Sequence, residues 1–180
     1  MTEFGIAYST VLAYGTVFML PVLFFLFVFT LRFWKQKENP PALLSFISRH
    51  ALLLSFLGAL SSLFGSLIYS EIVGIPPCLL CWYQRILLYP QVALFGIALL
   101  RKDTTVFYYA LPLTVIGFLI GAVQYTQQML QKELVACGTG EVSCSIRYVF
   151  EFNFVTIPFM SLTLMTGLLL IGAIALRFKN

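Results

Sequence analysis

The 180-residue chain has 4 cysteines, in two pairs of different spacing, and these are its residues best suited to chemistry. Cys78-Leu79-Leu80-Cys81 is a C-x-x-C, preceded by Pro76-Pro77 and followed one helical turn later by Arg85. Cys137 and Cys144 enclose the segment Gly138 to Ser143, which carries Gly138 and Gly140. Such pairs can brace a fold, hold a metal or pass electrons by thiol–disulfide exchange. A four-thiolate zinc site calls for tighter spacing in the second pair, and the sole histidine, His50, is far away in sequence. A c-type haem attachment needs histidine directly after Cys81, where Trp82 stands. An inert brace fits a C-x-x-C poorly, because so small a loop restrains the unfolded chain less than a long one.

The two prolines can set the first turn of a helix, where a missing N–H costs little. A thiol at a helix start sees unpaired N–H groups and the positive end of the helix dipole, which stabilise a thiolate. Arg85 falls on the same face as Cys81, one turn deeper. A guanidinium at that depth needs an acceptor. A thiolate at Cys81 or the carbonyl oxygen of a bound small molecule would supply one. The glycine-bearing Cys137–Cys144 segment reads as a flexible loop whose ends can close on each other, and an exposed disulfide of that kind is labile.

Composition decides what positions these groups. The chain is 60% hydrophobic and 10% charged, against roughly 45–50% and 25% in soluble domains. So little charge cannot cover a water-facing surface, and lipid is the solvent. A bilayer core takes about 20 apolar residues as a helix. Spans are predicted from about Ile6 to Leu31, Ala51 to Ser70, Leu79 to Leu100, Thr105 to Val123 and Phe154 to Leu176. Pro21 and Pro158 are expected to kink their helices. Gly58, Gly65, Gly117 and Gly121 are expected to mark close helix packing rather than a ligand site. The first stretch has no basic leader and no small-residue cleavage site, so it reads as an uncleaved anchor. Asn39-Pro40-Pro41 marks a short linker after it.

Basic residues gather on the cytoplasmic side of membrane proteins. An N-out, C-in arrangement places Arg32, Lys35, Lys37, Arg49, Arg101, Lys102, Arg177 and Lys179 inside. Of the 11 basic residues it leaves Arg85, Lys132 and Arg147 outside. Both cysteine pairs then face outward, where disulfides persist. Ser145 to Phe152 is expected to lie as a short amphipathic helix on that surface, keeping the loop pair near the C-x-x-C.

The string Pro77-Cys78-Leu79-Leu80-Cys81-Trp82-Tyr83-Gln84-Arg85-Ile86, with Tyr89-Pro90 beyond it, closely resembles the signature of the DsbB family of thiol:quinone oxidoreductases. It is most similar to the BdbC-type branch. Thr156-Ile157-Pro158-Phe159-Met160-Ser161-Leu162 resembles that branch's start of the last helix. The resemblance spans about residues 46–178. It implies an all-α membrane protein, a four-helix transmembrane bundle over 41–180, with one extra N-terminal transmembrane helix and cytoplasmic linker over 1–40. It implies a location in the bacterial plasma membrane and a quinone cofactor, ubiquinone or menaquinone. The implied partner is a DsbA-like thioredoxin-fold thiol oxidase, which passes electrons to Cys137–Cys144, then to Cys78–Cys81, then to the quinone. Cys81 resembles the cysteine facing the quinone, with Cys78 beside it, and Arg85 resembles the arginine that holds it. The first helix and the short spacing of the second pair depart from better-known members, and Cys137 is the expected partner-facing cysteine.

Other readings compete. A vitamin K epoxide reductase-like protein shares a four-helix core, but its C-x-x-C comes after the loop pair, the reverse of the order here. A non-enzymatic membrane subunit with structural disulfides leaves Arg85 without a purpose. A transporter of reducing power outward uses the same groups, because spacing does not give the direction of flow.

Overall fold

The computed structural model describes residues 2–36, 40–135 and 142–178. It is built of five long helices: α1 (Glu3–Phe33), α2 (Ala42–Leu67), α3 (Leu79–Arg101), α4 (Val106–Leu130) and α5 (Ile157–Arg177). A π-helical turn, Ile68–Ile72, continues α2. All five helices are long and apolar enough to cross a membrane. Large apolar side chains such as Phe18, Phe24 and Leu100 stand mostly clear of the protein, as side chains facing lipid do.

Neighbours in sequence pack side by side, α2 on α3, α3 on α4 and α4 on α5, and α5 returns to α2 to close a four-helix ring. The α1 helix lies outside the ring, against α5. Its buried seam is Gly5, Ser9, Ala13, Thr16, Leu23 and Thr30, largely small residues that let helices approach in lipid. Ser9 and Thr16 satisfy their hydroxyls on the carbonyls of Gly5 and Leu12 within the helix. At one end of the bundle Arg177 donates through Nε and Nη2 to the Trp34 carbonyl at 3.1 Å. Ser48 donates to the Phe178 carbonyl at 2.9 Å.

The glycines expected at helix contacts are there, but Gly58 and Gly65 also line a cavity inside the bundle. A Cβ on Gly117 would stand 3.0 Å from Met165 Cε, one on Gly121 3.2 Å from Leu162 Cδ2, and one on Gly65 3.4 Å from the Tyr8 hydroxyl. Gly58 faces Leu168 at 3.4 Å.

Four local expectations change. Pro158 sits in the first turn of α5, behind the N-cap Thr156, whose side chain accepts from the Phe159 N–H; it starts the helix rather than kinking it. Pro76 and Pro77 precede α3, whose N-cap is Cys78. They stiffen the approach instead of forming the first turn. Residues 145–152 form turns rather than an amphipathic helix. Phe152 and Asn153 take positive φ, and Glu151 and Val155 pair as an isolated bridge. Finally, α2 begins at Ala42 and α4 runs on to Leu130, each well beyond its apolar window. In the added turns Arg49 stays exposed while Leu44 and Ile47 are buried.

Candidate functional site

The chemistry converges where α2 ends and α3 begins. The π turn brings Tyr69 inward and buried, and its carbonyl accepts from the Ile75 N–H at 2.9 Å. Gly74 between them has φ +79, a left-handed conformation that glycine takes without strain. The chain then runs extended through the prolines and delivers Cys78 and Cys81 to the first turn of α3. Their sulfurs stand 3.0 Å apart as free thiols.

A buried polar chain reaches this pair from across the ring. Ser161 of α5 donates to Gln84 Oε1 at 2.8 Å, and Gln84 donates through Nε2 to Gln124 Oε1. Gln124 of α4 donates through Nε2 to both sulfurs, at 3.1 Å to Cys78 and 3.0 Å to Cys81. The hydrogen bond between Cys78 and Cys81, and then burial, hold the Cys78 thiol well above the ordinary cysteine range. The thiolate-stabilising helix start expected at the C-x-x-C is therefore outweighed at Cys78.

Arg85 lies one turn below Cys81. The acceptor it needs is supplied by α2: Nε donates to Ser66 Oγ at 2.9 Å and Nη2 to the Ser66 carbonyl at 3.0 Å. Its guanidinium also lies 5.3 Å from the Trp82 ring centroid. Ser66 thus takes the place of the thiolate acceptor suggested by spacing.

Cys144 is disulfide-bonded and buried at 1% exposure. It clusters with Cys78 and Leu80, and Cys81 and Ile120 pack against the cluster. This corrects the expectation of an exposed second pair, at least for this half of it. Cys137 lies outside the described residues. The segment bearing Cys144 is tied down by the end of α4, where Gln128 donates to the Ile146 carbonyl at 2.9 Å.

Below the cysteines lies a cavity of about 710 Å³, within the range of about 300–1,000 Å³ usual for small-molecule sites. Cys78, Cys81, Gln84, Arg85, Gln124 and Cys144 line its head, and Leu54, Leu164, Leu168 and Ile171 its apolar depth. The structure therefore brings together Cys78, Cys81, Arg85 and Cys144 from the residues singled out by spacing. It adds Gln84, Gln124, Ser66 and Ser161, which spacing missed. Polar side chains inside membrane spans are costly and often functional, and that signal was present for Gln84, whereas Gln124 falls just past the span predicted to end at Val123.

A C-x-x-C and a disulfide packed together at the head of a membrane cavity define a membrane thiol–disulfide protein. The chain belongs to the DsbB family: the family model described as "Disulfide bond formation protein DsbB" matches residues 48–176. It is 41% identical over 131 residues to the "Probable disulfide formation protein" of Coxiella burnetii (strain RSA 493 / Nine Mile phase I), covering 71% of this chain and 89% of that one. It is 44% identical over 110 residues to "Disulfide bond formation protein C" of Bacillus subtilis (strain 168), covering 60% and 79%. No solved structure matches the chain significantly. The protein is a multi-pass membrane oxidoreductase of disulfide formation.

Proposed function

We propose that this protein reoxidises a DsbA-like thioredoxin-fold partner outside the cytoplasm of a bacterium, from the plasma membrane, and discharges the electrons to a membrane quinone. In this reading residues 41–180 form the redox unit and residues 1–40 are an appended helix and linker. The observation that carries the reading is the meeting of Cys78, Cys81 and Cys144 at the head of one apolar cavity with Arg85 in its wall.

The steps balance in bonds and electrons. A thiolate of the reduced partner attacks Cys137 and breaks the Cys137–Cys144 bond. Cys137 is assigned this role because Cys144 is buried. The Cys144 thiolate so released attacks Cys78 of the oxidised Cys78–Cys81 pair and frees Cys81 as a thiolate. The partner's second thiolate resolves its bond to Cys137 and leaves as a disulfide. Cys137 then attacks Cys144, restores their disulfide and frees Cys78. Each exchange conserves electrons, and the two protons given up by the partner's thiols are taken up by Cys78 and Cys81, so the pair now holds two electrons and two protons.

A bound quinone takes up two electrons and two protons in becoming a quinol. The cavity fits such a group: it is mainly apolar and offers a fixed guanidinium donor beside two sulfurs. Arg85 would orient a ring carbonyl, Cys81 and Cys78 would face the ring, and the Gln84–Gln124 chain would hold the sulfurs in place.

The test is anaerobic mixing of the purified protein with a reduced DsbA-like partner and a quinone, followed by quinone absorbance. Quinone reduction stoichiometric with partner oxidation is expected, and its abolition by Cys81→Ser. Absence of reduction with all thiols intact would overturn the proposal.

A further inference from the structure

The cavity has a wall that the four-helix ring does not provide. Val11, Leu12, Gly15, Thr16 and Met19, all of α1, line it, and α1 lies outside the stretch matched to the family model. The helix is sealed to the bundle on either side of this stretch. Towards the cysteine end, Tyr8 packs edge-on against Tyr69 at 5.2 Å between ring centroids, and the Tyr69 hydroxyl donates to Ser9 Oγ at 3.3 Å. Towards the other end Leu23 reaches the bare backbone of Gly167, 3.6 Å from where a Cβ would stand. Between these seals α1 spans the cavity without filling it: a Cβ on Gly15 would meet nothing within 4 Å.

The cavity is long as well as walled. Its lining on α2 runs from Leu54 to Tyr69, about 20 Å at the rise of a helix, some two thirds of a bilayer core of about 30 Å. Arg85, the cysteines and the glutamines occupy its head, so a ring held there leaves the depth between Leu54, Leu168 and Ile171 to be filled by something apolar. We infer that α1 is the outer wall of a channel for the isoprenoid tail of the quinone, with Gly15 setting its width. This rests on the quinone reading above and adds to it a residue that selects the tail.

Two measurements on the full-length protein in nanodiscs test it. The first is equilibrium binding of a long-tailed isoprenoid benzoquinone and of a tail-less methylated benzoquinone. Gly15→Phe, which places a ring in the channel, is expected to weaken the long-tailed quinone at least about tenfold and leave the tail-less one unchanged. Phe24→Trp, exposed on the side of α1 opposite Gly15, changes neither. The second uses the unmodified protein and a quinone with a photoreactive tail, whose crosslinks are expected within residues 11–19. Equal long-tail affinity in Gly15→Phe, or tail crosslinks that avoid α1, would overturn the role of α1 while wild-type binding upholds the quinone reading. If the wild-type protein binds neither quinone, both fall.

Discussion

The C-x-x-C is chemically ordinary until Gln124 is placed beside it. One side-chain amide donates to both sulfurs and is held in turn by Gln84 and Ser161. Donors to sulfur stabilise the reduced pair, and a stabilised reduced pair is a stronger oxidant when it is a disulfide. Gln124→Leu removes those donors and leaves the Gln84 amide without its acceptor. An ordinary hydrogen bond contributes about 0.5–1.5 kcal/mol, which for a two-electron couple is on the order of 10–30 mV. The potential of Cys78–Cys81 is therefore expected to fall by that amount, measured by equilibration in glutathione or dithiothreitol buffers with mass-spectrometric counting of thiols. An unshifted potential would show that the amide only fills space. At this scale the sequence was informative about residues close in the chain: Cys78, Cys81, Cys144 and Arg85, which meet at the cavity head, were singled out by type and spacing. The residues supplied from other helices could not be read, since nothing local says that Gln124 and Ser161 meet Gln84, or that Ser66 meets Arg85.

Among the elements, apolar length located all five helices, and failed where a helix outlasts its apolar stretch. The last turns of α4 carry Gln124, Gln127 and Gln128, all buried. Their amides find partners in the thiols and in the carbonyls of Val135 and Ile146. A hydropathy window reads this stretch as leaving the membrane, whereas the fold uses it to hold the outer segment over the cysteines. Helix contact was more legible, because glycine in a lipid-facing bundle marks close approach. The tightest case is Gly172 of α5, where a Cβ would stand 2.7 Å from Leu111 Cδ2 and 3.2 Å from Phe107 Cδ1 on α4. Leu111 can swing aside for a methyl group. The branched side chain of Gly172→Val needs more room than that. The variant is expected to cost about 1–3 kcal/mol, seen as a lower midpoint of thermal unfolding in detergent. A midpoint at or above wild type would mean that α4 and α5 have slack at this contact.

For the molecule as a whole, the relay works only if its two ends lie on the proper sides of the membrane. Successive helices alternate in direction, so Arg32, Arg49, Arg101, Lys102 and Arg177 gather at the end of the bundle opposite Cys78 and Cys81. Basic residues stay on the cytoplasmic side, so the proposed orientation has the cysteines outside, where a secreted thiol partner could reach them and disulfides persist. The native cysteines are poor reporters of this, since Cys78 and Cys144 are buried and would resist a reagent on either side. Two exposed positions serve better. Leu134 follows α4 at the cysteine end, 54% exposed, and Lys102 caps α3 at the other end in a left-handed turn. In a cysteine-free background, Leu134→Cys is expected to react with a membrane-impermeant maleimide on intact cells, and Lys102→Cys only after permeabilisation. The opposite pattern would turn the protein over in the membrane. It would place the C-x-x-C in a reducing compartment, where the thiols of a secreted partner could not reach it and the proposed direction of electron flow would have no donor.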